Sequence, residues 1–246
     1  MRKRGDLVVA RDAEALARVL AERFIAAAQE AHERHGRFDV ALAGGSTPKA
    51  AYELLAVPPL RDRVDWHAVR FFFGDERCVP PDDDASNDKM ATEAFGSVMT
   101  DSGAAVFRMH GEDEPQAAAR AYAEVLREEL GSEPNFDLVL LGMGPDGHTA
   151  SLFPGDDPRT DDSMLVRAPY VSRLGAYRLT LTPRALCGGS GIIVAISGAA
   201  KADILATIIE GPTDQERYPV EVLRSCSGQL TWLVDQAAAA KLPSLR

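Results

Sequence analysis

Directly behind the third glycine of Gly142-Met143-Gly144-Pro145-Asp146-Gly147 stands His148, two places after an aspartate. A histidine titrates near pH ~6.5 in model peptides, so it can take a proton from water near neutrality, and a neighbouring carboxylate can orient it or stabilise its cation. Glycines on either side permit the tight turn that would bring both side chains to one point. The pattern reads as a general base, His148, with a positioning acid, Asp146. The plainer alternative is that Asp146 caps a short helix and His148 packs passively. The same letters also satisfy G-x-G-x-x-G, but a dinucleotide loop must open a long helix that receives the pyrophosphate. Pro154 and Gly155 arrive too soon for one. No second strand ending in an acidic residue follows about twenty positions on, so a nicotinamide cofactor is set aside.

Three more stretches carry candidate chemistry. In AGGSTPKAAYELL, residues 43 to 55, Gly44 and Gly45 let the chain turn, Thr47 can cap a helix and Pro48 suits its first position. The free N–H groups of such a first turn form an anion site. A Walker A loop is absent, which sets nucleoside triphosphates aside. In FFFGDERCVPPDDDASND, Asp75, Glu76 and Arg77 follow a strand, and Arg77 can grip a carboxylate, a phosphate or a developing oxyanion in a two-pronged contact. It can equally pair with Asp75 or the Asp82–Asp84 run. In ISGAAKADIL, Lys201 falls in a first helical turn after Gly198 and is a second candidate phosphate clamp, or else an ordinary surface lysine. Arg178, in YRLTLT, adds a further cation that could as well be structural.

These stretches need strands to present them. DLVVA (6 to 10), FDVALAG (38 to 44), VRFFFG (69 to 74), FDLVLLG (136 to 142), YRLTLT (177 to 182), GIIVAIS (191 to 197) and QLTWLVD (229 to 235) read as strands. Helical patterns run between them: 12 to 36, closed by Gly36, then TPKAAYELLA, SNDKMATEAF, 115 to 131 and KADILATIIE. Near-continuous apolar strands alternating with helices predict an α/β fold, a mainly parallel central sheet with helices on both faces. No linker or repeat interrupts residues 1–246, which read as a single domain, with the Pro/Asp-rich 154 to 170 as a surface loop. Ligands in such sheets sit beyond the carboxyl ends of the strands, where all four stretches fall.

Composition removes other classes. Of 246 residues 46% are hydrophobic, and 27 Lys plus Arg against 37 Asp plus Glu leave a formal charge of -10, which disfavours nucleic acid as a partner. No apolar run is long enough for a membrane span. Cys78, Cys187 and Cys226 lie far apart without a CxxC pair, against a zinc ribbon and a disulfide scaffold, and a reducing cytoplasm fits. His32 and His35, at a helix end, suit the helix dipole better than a metal. No GxSxG elbow occurs, and Ser190 precedes a strand instead of a strand-to-helix turn, which disfavours a serine hydrolase.

ALAGGSTPKAAYELL, FFFGDERCVPPDDDASN, FDLVLLGMGPDGHTASLFPG and SGAAKADIL, in that order over about 40 to 205, closely resemble the 6-phosphogluconolactonases. The resemblance implies a modified Rossmann-like fold shared with glucosamine-6-phosphate deaminases, and hydrolysis of a sugar phosphate lactone in the oxidative pentose phosphate pathway. It also implies no metal or organic cofactor. On it, His148 is the general base, Asp146 positions it, and Arg77 stabilises the oxyanion or fixes the substrate. Gly44, Gly45, Ser46, Thr47 and Lys201 bind the phosphate, with Asp75 and Arg178 beside them. The deaminases resemble DEY where this chain has Asp75-Glu76-Arg77, and carry an acidic residue in the run matching Ser151-Leu152-Phe153. A non-catalytic sugar-phosphate sensor is the reading from another class, and it would need neither His148 nor Asp146. A monomer or small homo-oligomer is expected.

Overall fold

The computed structural model describes residues 5–155 and 163–242. In chain order, the strands and α-helices among them are β1 (Asp6–Ala10), α1 (Ala13–His35), β2 (Phe38–Leu42), α2 (Ser46–Leu55), β3 (Val69–Phe73), β4 (Asp75–Arg77), α3 (Asn87–Phe95) and α4 (Ser97–Thr100). They continue with β5 (Ala105–Val106), α5 (Pro115–Leu130), β6 (Leu138–Gly142), β7 (Val166–Arg167), β8 (Tyr170–Val171), β9 (Ala176–Leu181), α6 (Pro183–Leu186), β10 (Gly191–Ile196), α7 (Ala202–Glu210) and β11 (Gln229–Asp235).

Seven strands form one sheet in the order β1-β11-β10-β6-β2-β3-β5, every neighbouring pair parallel. All five residues of β2 are buried, and since successive side chains point to opposite faces, both faces are covered. That is the expected α/β architecture. Helix α1 begins where its sequence allows, with the Asp12 carboxylate accepting from the Ala15 N–H at 2.8 Å, and ends at Gly36 with φ 78.

One strand joins a different sheet from the one expected. Residues 177 to 182 read as part of the parallel sheet, but β9 lies antiparallel between β4 and β7 in a small second sheet, with β8 also pairing β9. Apolar alternation marks a strand without naming its partner. Asp75, Glu76 and Arg77, expected only to follow a strand, form a strand of their own, β4. Of the segment 154 to 170, residues 156 to 162 lie outside the described residues.

The cysteines also correct their sequence reading. Cys187, just after α6, and Cys226, ahead of β11, form a disulfide across 39 residues, while Cys78 is free. Their separation along the chain hid a pairing that the fold creates, so cysteine spacing no longer argues for a reducing compartment.

The core beneath the site is aromatic. Phe24 meets Phe38 edge-on at 5.1 Å, and Tyr52 stacks on Phe95 at 4.6 Å. Each such buried ring contributes roughly 2–3 kcal/mol. Two buried hydroxyls pin strand ends: Tyr52 Oη donates to the Ala43 carbonyl at 3.0 Å, and Tyr122 Oη accepts from the Phe73 N–H at 2.9 Å. The loops after β2 and β3 therefore leave a rigid base. No helix among the described residues is long and apolar enough to cross a membrane.

Candidate active site

Beyond the carboxyl ends of β2, β3, β6 and β10 lies a cavity of about 570 Å³. Gly44, Gly45, Ser46 and Thr47 line it from the β2–α2 turn, Asp75 and Arg77 from β4, Asp146 and His148 from the turn after β6, and Arg178 and Lys201 from β9 and the β10–α7 connection. Every residue to which the resemblance gave a role thus lines one cavity, although Arg178 comes from the second sheet.

The turn after β6 is built for close approach. The Gly144 N–H donates to the His148 carbonyl at 2.8 Å, and Gly147 adopts φ 80. A side chain on Gly144 would lie 2.0 Å from His148 Nδ1, so the imidazole rests directly against the Gly144 backbone. Among the described residues no helix follows the turn, and residues 148 to 155 are not helical, which removes both the dinucleotide reading and the helix-cap role for Asp146. Ala150 holds φ 45, a left-handed conformation costly for alanine and tolerated where the surroundings impose it.

Asp146 Oδ1 lies 2.6 Å from His148 Nδ1, and Oδ2 is ion-paired with Arg173. Burial by itself would raise the Asp146 carboxyl, but the imidazole and the guanidinium outweigh it and hold it down to about 2. An ionised carboxylate only accepts hydrogen bonds, so Nδ1 carries a proton, and in the neutral ring Nε2 holds the lone pair. On its other side the ring meets Phe153 at 4.6 Å between centroids. The arrangement is that of a base oriented by an acid.

Around it the cavity collects positive charge. Gly45, at φ 98, starts α2 at Ser46, and no side chain caps the helix, which corrects the expected capping by Thr47. The early turn at Gly45 places Thr47 inside the helix, and the first-turn N–H groups stay open toward the cavity. Lys201 Nζ donates to the Met143 carbonyl at 2.9 Å; burial lowers its pKa, and the charge of Asp146 opposes that. Arg77 and Arg178 sit directly opposite each other across the β4–β9 pair. Burial, then Arg77, depresses the Arg178 guanidinium. Like charges facing across a strand pair destabilise it, an arrangement that suits an anion binding between them.

Asp75 is held instead of free: its Oδ2 accepts from Ser151 Oγ at 2.7 Å and its Oδ1 from Asn87 Nδ2 at 3.1 Å. Asn87 also lies so close to Gly44 that a Cβ there would come within 1.9 Å of its Oδ1. Buried Glu76 accepts from the N–H groups of Arg77, Asn87 and Asp88 and from Ser86 Oγ; burial raises its carboxyl against those bonds. Arg77 donates to the Ala85 carbonyl of the acidic loop, so the loop's backbone takes it and not its aspartates.

Several of these supports escaped the sequence reading. Arg173, in the turn Ser172–Leu174, belongs to no motif, and nothing in the chain marks it as close to Asp146. Asp235, the last residue of β11, accepts from Ser197 Oγ at 2.5 Å and from the Gly198 N–H, setting the turn before Lys201. An aspartate closing a buried strand was the available signal for it. Phe153 and Ser151 were legible as part of a motif, without their roles.

The fold is a mainly parallel α/β sheet that carries, beyond its carboxyl ends, a histidine oriented by a carboxylate in a cation-rich cavity. Residues 11–232 match the family described as glucosamine-6-phosphate isomerases/6-phosphogluconolactonase, and the chain belongs to it. It is 32% identical to the 6-phosphogluconolactonase of Haemophilus influenzae over 225 residues, covering 91% of this chain and 94% of that one. It is 38% identical to that of Treponema pallidum over 176 residues, 70% of this chain and 73% of the other. The solved structure of 6-phosphogluconolactonase from Trypanosoma cruzi superposes with a TM-score of 0.87 at 29% identity, covering 99% and 98% of the two chains.

Proposed function

We propose that this protein is an enzyme that hydrolyses 6-phospho-D-glucono-1,5-lactone to 6-phosphogluconate, with His148 as general base. The observation that carries the proposal is the 2.6 Å contact between Asp146 Oδ1 and His148 Nδ1 inside a cavity lined by Arg77, Arg178 and Lys201. His148 Nε2 takes a proton from water as the water oxygen attacks the lactone carbonyl carbon. Arg77 and Arg178 face the oxyanion that develops. As the intermediate collapses, the bond from that carbon to the ring oxygen breaks and His148 returns the proton to the departing alkoxide. The open N–H groups of α2, with Ser46, Thr47 and Lys201, hold the phosphate, so binding at the far end of the sugar orients the reacting carbonyl.

The ring of Phe153 against His148 supports a lactonase over a deaminase-isomerase, because an apolar ring occupies the neighbourhood where the deaminases carry an acid. We assign the reaction to the compartment in which the lactone forms, since a doubly charged sugar phosphate does not pass a bilayer unaided.

Proton release from freshly generated lactone tests this, with wild type, His148→Ala and Lys201→Ala in parallel. The wild type is expected to exceed the spontaneous rate, the histidine variant to fall to it, and the lysine variant to lose mainly in KM. A wild type no faster than the background sinks the reading.

A further inference from the structure

Asp146 and His148 come from the turn after β6, but the charge that completes them comes from elsewhere. Arg173 sits in the turn between β8 and β9, part of the small antiparallel sheet, lines the cavity and is ion-paired with Asp146 Oδ2. The same guanidinium lies 4.4 Å above the centre of the Phe153 ring, and that ring packs 4.6 Å from the imidazole. Four side chains from three segments close into a loop: Arg173 on Asp146, Asp146 on His148, His148 on Phe153, Phe153 under Arg173.

A carboxylate held by one oxygen still rotates about its Cβ–Cγ bond, whereas one held by both does not. Oδ1 accepts from the His148 backbone N–H at 3.2 Å as well as facing Nδ1, and the ion pair with Arg173 draws Oδ2 the other way, so the carboxylate keeps Oδ1 on the ring and the neutral imidazole keeps its proton on Nδ1. The Arg173 guanidinium is ion-paired with the carboxylate while its Cζ lies over the Phe153 ring, and its charge is spread over a plane where that of an ammonium is a point. Without Arg173, the next cation for Asp146 is Lys201, whose charge already interacts with it. The carboxylate would then turn from the ring toward the proposed phosphate clamp.

We propose that Arg173 is a positioning residue that acts through Asp146 to hold the His148 ring in its Nδ1–H tautomer, with Nε2 ready to accept a proton. The proposal rests on the lactonase reading for its kinetic consequence but not for its structural one, and the two are tested separately.

The measurement is the ring-nitrogen NMR spectrum of 15N-histidine-labelled, unliganded protein at a pH where the ring is neutral. His148 is assigned by the signals lost in His148→Gln. Wild type is expected to show a protonated Nδ1 and an unprotonated Nε2, and Arg173→Gln a mixture of tautomers. In the lactone assay, kcat of Arg173→Gln is expected to fall roughly ten- to hundredfold, as for other residues that orient a catalytic ligand, with KM changed less than about threefold. Arg173→Lys, which keeps the charge and loses the plane, should restore most of the tautomer preference and part of kcat.

An Arg173→Gln ring that keeps the wild-type tautomer overturns the proposal, whether kcat falls or not, since a fall alone would mean direct contact with substrate. A tautomer change with kcat within twofold of wild type overturns it as well. Should Arg173→Gln fail to fold, Arg173→Lys decides: a ring spectrum and kcat both unchanged, despite the lost plane of charge, defeat the argument. If wild type shows no lactonase activity the functional reading fails, and the NMR arm still decides what Arg173 does to His148.

Discussion

Gly144→Ala probes the central contact of the site. A Cβ on Gly144 would lie 2.0 Å from both Cε1 and Nδ1 of His148 and 2.7 Å from Asp146 Oδ1. Carbon contacts settle near ~3.5 Å, so the imidazole has to retreat by about 1.5 Å. Its retreat is constrained, because its centroid already lies 4.6 Å from that of Phe153 and Asp146 holds Nδ1 at 2.6 Å. A misplacement of about 1 Å at a reacting group costs on the order of a hundredfold in rate, or about 2.7 kcal/mol of barrier. The expected outcome is a kcat reduced at least about a hundredfold with a smaller change in KM, since α2 is untouched while Lys201 is held at the neighbouring Met143 carbonyl. Overpacking of about 1–2 kcal/mol should lower Tm by a few degrees without unfolding the chain. Proton release from the lactone, with a thermal melt on the same preparation, reads both quantities. A folded variant with kcat within about threefold of wild type would refute the reasoning, because a displaced imidazole could not then be the working base.

Arg178→Gln removes one of two facing guanidiniums, so the unliganded protein should gain a few tenths of a kcal/mol, about one degree in Tm. The same change should raise KM several-fold; a loss of stability with unaltered KM would assign Arg178 to the fold and not to the ligand. Reduction of the Cys187–Cys226 bridge, or its replacement by two serines, releases a loop of 39 residues. Loop-closure entropy sets its contribution at up to about 4 kcal/mol, read as a drop in the urea midpoint under reducing conditions. Identical midpoints with and without reductant would show that the bridge does not stabilise the chain.

The motifs of this chain were legible because each is local. Gly142 to His148 must turn tightly, a glycine pair followed by proline must open a helix, and an apolar run must be a buried strand, since these outcomes depend on steric and hydrogen-bonding limits within a few residues. The convergence of His148, Asp146, Arg77 and Lys201 on one cavity also followed from sequence, once the strands were taken as parallel with their carboxyl ends together. Strand partnership was not legible in the same way. β9 carries an apolar pattern fit for either sheet, and only the packed fold set it against β4, bringing Arg178 opposite Arg77. The same step brought Arg173 onto Asp146 and Cys187 onto Cys226, contacts between segments far apart in the chain. Local chemistry determined which residues could act. Tertiary packing decided which charges meet, because the free energy of a charge pair depends on distance and burial, and both exist only after the chain has folded.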